Sequence, residues 1–404
     1  MLEHKGRLVG LGVAMAVLVG LQGCASTSSG TQPNTTASEF AASRREALRE
    51  AVKATGLQVS EVVFPDQVTD EMRAWLKEHT RHTSDPRTQL AGLLDSLLDE
   101  RYLNVRYAAG YTGTAPEVFA TRQANCLAFS HLFVSLAMEL GIDVYYMDVD
   151  QVQRYEKDDD LVIISGHVTA GYGIPSDRLV LEFSVGPDAD YRSARKVSDI
   201  RALSMYHSNR GAEVLREGKV GEAVEWLRTA ITLDPTLPDA WINYGVALRR
   251  SGDEEAAEES YLKALEVDPH AVTAYSNLAA LMRRRGRNLE ADELLRVAEH
   301  LGDRNPYSFI NLGDMHLLQG EVDEAERFYR KAMRLYGDLA DPYAAMGLLA
   351  HTLDRPEEAR RWLRRAQKRD PENARVRALE HQLEPALGDD KGIARLVPRK
   401  DGPT

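Results

Sequence analysis

The stretch DAWINYGVALRRSGDEEAAEESYLKALEVDP, residues 239–269, decides the architecture of the C-terminal half of the chain. Small residues stand at Gly245, Ala257 and Ala264, a large one at Trp241, and Pro269 closes the segment. The small positions let two paired helices approach closely, the aromatic fills the hole between them, and proline ends the second helix.

Reading outward in both directions, the same phases return every 34 residues. Gly211, Gly245, Ala279, Gly313 and Gly347 form one series, and Ala223, Ala257, Ala291, Ala325 and Ala359 a second. A third runs through Ala230, Ala264, Ala298, Ala332 and Ala366. Trp241, Tyr275, Phe309 and Tyr343 are the large residues, and Pro235, Pro269 and Pro371 close three of the units. These positions resemble the tetratricopeptide repeat, so residues 204–373 are expected to form five two-helix repeats stacked as an all-α solenoid. Residues 374–387 read as a polar capping helix and 388–404 as a disordered tail.

The bulk numbers limit what this array can serve. At 404 residues the chain is long enough for two or three domains. A net charge of −12 argues against nucleic acid, which needs a basic field to hold phosphates. It equally disfavours electrostatic docking on an anionic membrane, so membrane attachment would need another device.

Such a device stands at the start. Lys5 and Arg7 precede an apolar run from Leu8 to Leu21 that is short for a transmembrane span. The run ends in Leu21-Gln22-Gly23-Cys24, which resembles the lipobox of bacterial lipoproteins. The resemblance implies that residues 1–23 are a signal peptide and that the Cys24 thiol carries the lipid anchor. Ala25, a residue other than Asp, implies sorting to the outer membrane, facing the periplasm. Residues 24–38 hold little that is apolar and read as a flexible tether. With Cys24 lipidated, Cys126 is the single remaining thiol, and in an oxidising compartment it is either inertly buried or kept for its chemistry.

Residues 39–200 read as an α+β domain. Helical spacing covers Phe40 to Leu57, Asp70 to His79 with Thr69 as N-cap, and Pro86 to Leu98. A Gly/Thr/Pro-rich loop from Gly110 to Pro116 leads to Asn125-Cys126, and Cys126 to Leu140 is apolar nearly all round, the mark of a buried central helix. Gly141 stops it, and β-like runs follow at Ile142 to Val149, Leu161 to Tyr172 and Arg178 to Val185.

Cys126 therefore opens a buried helix, where unpaired N–H groups and the helix dipole stabilise a thiolate. A thiol nucleophile needs a base and a group to orient that base, and His167 and Glu182 on the following strands are candidates. Taken singly, each has a plainer reading: a small buried hydrophobe, a satisfied core histidine and a solvent-facing charge.

The order of cysteine at the head of a central helix, then histidine and an acid on successive strands, resembles the transglutaminase-like superfamily, relatives of the papain-type proteases. The resemblance spans Thr112 to Val185. It implies Cys126 as nucleophile, His167 as base and acid, and Glu182 as the orienting carboxylate. Three departures bear on activity: Glu182 where the family usually has Asp, Ala124 where a glycine is frequent, and Val168 where a bulky aromatic is usual. Gln123 is a candidate oxyanion donor through its side-chain amide. No cofactor is expected, and scattered histidines with one free cysteine offer no metal-ligand spacing.

The expected partner is a protein or peptide in the repeat groove. Asn209, Asn243, Asn277 and Asn311 recur at one phase of the first helices, and a ladder of amides could hold an extended backbone. Arg249, Arg250, Arg283 and Arg284 end two of those helices and could clamp a carboxylate, although such residues also complement the helix dipole. Three functions follow: thiol-dependent hydrolysis or acyl transfer at amide bonds, a non-catalytic scaffold with a degenerate thiol domain, or redox sensing through Cys126.

Overall fold

The computed structural model describes residues 36–80, 83–108, 110–148, 154–158, 161–165, 168–174, 176–181, 183, 195–301, 306–318, 320–371 and 373–383. Cys24, the lipobox run, most of the tether and the tail from residue 384 lie outside the described residues. No helix among the described residues is long and apolar enough to cross a membrane.

The first helix, α1 (Ala37–Ala54), starts two residues inside the predicted tether. Thr36 and Glu39 cap it reciprocally: the Glu39 N–H donates to Thr36 Oγ1 at 3.3 Å and the Thr36 N–H to Glu39 Oε2 at 2.8 Å. The next two helices, α2 (Asp70–His79) and α3 (Pro86–Leu98), begin at Thr69 and Asp85, whose side chains accept first-turn N–H groups. Strand β1 (Arg106–Tyr107) pairs in parallel with β2 (Gln123–Ala124), and between them stands α4 (Ala115–Thr121). The predicted Gly110–Pro116 loop thus ends in a helix. Its signal is Thr114 with Glu117 three residues on, a second reciprocal capping box, and the neighbouring Gly113 and Pro116 obscured it.

The central helix α5 (Cys126–Glu139) is buried along its length from Cys126 to Met138, as its all-round apolar pattern requires. It packs against α1, α2, α3 and α4. Side chains such as Phe129, Leu132, Phe133 and Leu136 are essentially enclosed, each contributing roughly 1.5–3 kcal/mol by leaving water. Strands follow: β3 (Tyr145–Asp148), β4 (Arg154–Asp158), β5 (Leu161–Ser165), β6 (Val168–Ile174), β7 (Asp177–Leu181) and β8 (Arg195–Val197). Four of them form an antiparallel sheet in the order β7-β6-β3-β8, with Tyr146 opposite both Ala170 and Val197, and Ala170 opposite Leu181. The β6 strand also packs on α5. The apolar run Leu161 to Tyr172, read as one strand, divides into β5, which pairs with β4, and β6.

From Asp199 onward every described element is helical. The first pair is α6 (Asp199–Arg216) and α7 (Val220–Leu233), and α6 begins earlier than Ser204 because Ser198 caps it. Then come α8 (Pro238–Ser251), α9 (Glu254–Val267), α10 (Val272–Arg284) and α11 (Asn288–His300). The array continues with α12 (Pro306–Leu318), α13 (Val322–Leu335), α14 (Asp341–Thr352), α15 (Pro356–Gln367) and α16 (Ala374–Leu383). The 34-residue glycine phase has a direct steric cause. A Cβ on Gly245 would lie 2.5 Å from a ring carbon of Tyr261, and one on Gly211 2.5 Å from Leu227. The turns repeat as well: Gly218, Gly252, Gly286 and Gly320 all take positive φ between the two helices of a pair.

The chain divides into two compact units. One comprises residues 1–154 and 165–240, so the first helix pair belongs with the α+β region; the other comprises residues 155–164 and 241–404.

Candidate functional site

Cys126 is the first residue of α5, a free thiol with 7% of its surface exposed. Arg122, in the left-handed conformation at the end of α4, turns the chain into β2, and β2 delivers Asn125 to the helix start. The Asn125 N–H donates to Tyr111 O at 3.0 Å. Its side chain caps α5, accepting the Ala128 N–H at 2.9 Å. The N–H groups of Cys126 and Leu127 then remain without an acceptor inside the helix.

The amide side of the same cap is held from far away in sequence. Asn125 Nδ2 donates to Thr112 Oγ1 at 2.6 Å, and Thr112 Oγ1 donates to Glu213 Oε1 at 2.6 Å. Arg210 donates to the other Glu213 oxygen at 2.7 Å. Glu213 belongs to α6, so the first helix of the repeat-like region holds the residue that caps the thiol helix. Burial raises the Glu213 pKa, and the bonds from Thr112 and Arg210 oppose that shift.

His167 and Glu182 lie outside the described residues. Val168, Leu181 and Phe183 beside them are described. Val168 opens β6, and its carbonyl is 3.1 Å from Ser130 Oγ, which also lies 2.8 Å from the Cys126 carbonyl. Phe183 stacks on Phe129 with ring centroids 4.2 Å apart and an interplanar angle of 5°. Gln123 is exposed on β2.

Behind α5 lies a second buried polar group. His131 Nδ1 meets Tyr146 Oη at 2.9 Å. Arg44 grips Asp199 through Nε at 2.7 Å and Nη2 at 2.6 Å. Burial lowers the His131 pKa to about 3 and that of His207 to about 4, so both are neutral at pH 7.

The repeat-surface residues are more enclosed than their spacing suggests. Asn243 and Asn277 are 1% and 0% exposed, and Asn209 is buried on α6; their amides are enclosed by helix packing and do not line an open ladder. Asn311, on α12, is half-buried. The arginine clamp fares similarly. Arg283 pairs with Asp292 at 3.1 Å, Arg284 with Glu254 at 2.8 Å, and Arg249 is buried, while Arg250 is half-buried. Acids on the neighbouring helices already neutralise Arg283 and Arg284, which leaves little charge for a ligand carboxylate.

Two family models described as tetratricopeptide repeat match residues 214–282 and 305–372. The C-terminal region is an array of tetratricopeptide repeats. Such repeats are protein–protein interaction or scaffolding modules, and the repeat array here is one. Among solved structures, the chain is similar to pilF of Pseudomonas aeruginosa at 24% identity and a TM-score of 0.38, over 46% of this chain and 83% of that one. TTC0263, a tetratricopeptide repeat protein of Thermus thermophilus, matches at 21% identity and a TM-score of 0.40, over 45% of this chain and 98% of that one. YrrB, a repeat protein with an unusual peptide-binding site, matches at 16% identity and a TM-score of 0.31, over 44% and 92%. No curated protein matches the chain.

Sequence reasoning missed Thr112, Ser130, Phe183 and Glu213. Asn125 was visible as the residue before a helix-opening cysteine, but nothing in the spacing links it to Glu213. That link exists only once α6 has docked.

Proposed function

We propose that the chain is a lipid-anchored, periplasm-facing protein whose α+β region is a transglutaminase-like thiol domain acting on amide bonds of a protein or peptide recruited by the repeats. The observation that carries this reading is Cys126 as the first residue of a buried helix capped by Asn125, with the strand that follows His167, β6, packed on that helix. The register of β6 against β7, with Ala170 opposite Leu181, supports the same grouping.

In this reading the Cys126 thiol gives its proton to His167, and the sulfur attacks the amide carbonyl. The N–H groups of Cys126 and Leu127 and the Gln123 amide receive the oxyanion. The C–N bond breaks as His167 returns the proton to the leaving amine, which forms a thioester. Water or a second amine then attacks the thioester and restores the thiol. Glu182 orients the imidazole. Cys24 would carry the lipid, and Cys24→Ser should move the protein from the membrane to the soluble fraction.

The decisive test is alkylation by iodoacetamide at pH 6.5, followed at Cys126 by mass spectrometry. His167→Ala should slow it at least tenfold with the fold intact by circular dichroism. Equal rates in the two proteins would remove the catalytic reading. They would favour instead a scaffold with a degenerate thiol domain, which the small exposure of Cys126 already suits.

A further inference from the structure

The last complete repeat carries a feature that the thiol domain does not use and that repeat packing engages only along one edge, through Arg365 and Arg369. On α15 and its C-cap, Arg361, Arg364, Arg365 and Lys368 stand at positions i, i+3, i+4 and i+7 and are all exposed, and Arg369 follows one turn beyond Arg365. That spacing puts them on one face of the helix, opposite the buried Ala359, Leu363 and Ala366. The five side chains line an open concavity of about 470 Å³.

Two properties mark this stripe. First, its charge is uncompensated. Arg283, Arg284, Arg287, Arg327 and Arg330 each meet a carboxylate within 3.1 Å. Among the described residues, none of these five cations forms an ion pair. Five like charges on three turns repel one another, and in a chain of net charge −12 packing alone gives no reason to gather them.

Second, part of the stripe is held ready. Arg369 donates to Gly337 O and Arg365 O at 2.7 Å each, and its guanidinium lies 3.5 Å from the centre of the Tyr343 ring. Arg365 lies 4.7 Å from the Trp362 ring centre. Side chains already fixed on aromatic rings lose less entropy when a ligand arrives. Arg361, Arg364 and Lys368 reach freely beyond them.

We propose that this face of α15 docks an acidic helical segment of a protein partner, one whose Glu or Asp residues recur on successive turns. A helix is favoured because cations spaced at i, i+3, i+4 and i+7 extend over about 10 Å, the rise of two turns. A protein is favoured because the repeat array is a protein-interaction module. The docking face is independent of Cys126 and stands or falls without it.

The test uses the full chain and three probes: a fluorescein-labelled helical peptide with Glu at i, i+3, i+4 and i+7, vesicles of phosphatidylglycerol, and a single-stranded DNA oligonucleotide. Fluorescence anisotropy should show the peptide binding and weakening as salt rises from 50 to 300 mM. The counterpart with Gln at those positions should bind at least tenfold more weakly. The triple variant R361Q/R364Q/K368Q should lose at least tenfold in peptide affinity, while R361K/R364K keeps it. The triple variant should also unfold at the same or a higher temperature than the parent, since it relieves like-charge repulsion. Equal affinity of parent and triple variant would overturn the proposal, and so would vesicles or DNA binding as tightly as the Glu peptide.

Discussion

The helix pair α8–α9 buries only one face of its second helix, whereas the central helix α5 is buried along its length, and the two regions are packed in different ways. In the pair, Gly245 admits the Tyr261 ring from a position sixteen residues later, and the same fit recurs at Gly211 and Gly313 with their own partners. Every such contact is local in sequence and repeats with the period. Around α5 the contacts are distant. Arg44 reaches Asp199 across 155 residues, and Thr112 reaches Glu213 across 101. The repeats are a rule applied again and again, whereas the thiol region is assembled once, from parts that meet only in the folded state.

That difference can be tested. The largest effect should come from acid. His131 and His207 are buried and neutral, with pKa values of about 3 and 4 against about 6.5 when unfolded. Between those values the unfolded chain binds more protons, so stability is full above about pH 7 and is lost as pH falls toward 4. Each histidine adds a slope of about 1.4 kcal/mol per pH unit in that window. Hydrogen exchange in α5 and α6 should therefore accelerate between pH 6.5 and 4.5, once corrected for the intrinsic rate. His207→Gln should flatten the dependence, and an unchanged profile would contradict the neutral, buried assignment.

Next in size is Tyr261→Ala. It removes a fully enclosed ring and should cost about 3–5 kcal/mol. Because the contact is local, exchange should rise in α8 and α9 and stay unchanged in α5. Spread of the effect into α5 would mean that the two regions do not differ as the contacts suggest.

The smallest is Glu213→Leu, which strands Thr112 and Arg210 and should cost about 1–3 kcal/mol. Its mark is positional: Cys126 alkylation should change at least threefold, while Glu213→Gln, which still accepts from Thr112, should stay near the parent rate. A loss of stability with no change at Cys126 would reduce Glu213 to a packing contact.

Several elements were legible from the chain alone. Helices α2 and α3 begin where Thr69 and Asp85-Pro86 mark them, and α5 begins at Cys126, because caps and apolar spacing act over a few residues. The α4 helix was hidden by a Gly/Pro-rich flank even though Thr114 and Glu117 signalled it. The break between β5 and β6 was hidden too, since a continuous apolar run carries no mark of which sheet each half joins.

Sequence by itself determined the repeat period, the buried character of α5 and the position of Cys126 at its head. All three depend on spacing along one helix or one helix pair, where side-chain direction follows directly from residue number. Tertiary structure alone decided that Asn243 and Asn277 are enclosed, that Arg283 and Arg284 are neutralised and that the α15 cations are not. It also decided that Glu213 holds the cap of the thiol helix. Each of these turns on which side chain arrives from another part of the chain. That arrival is set by the packing of whole elements and not by the spacing within one.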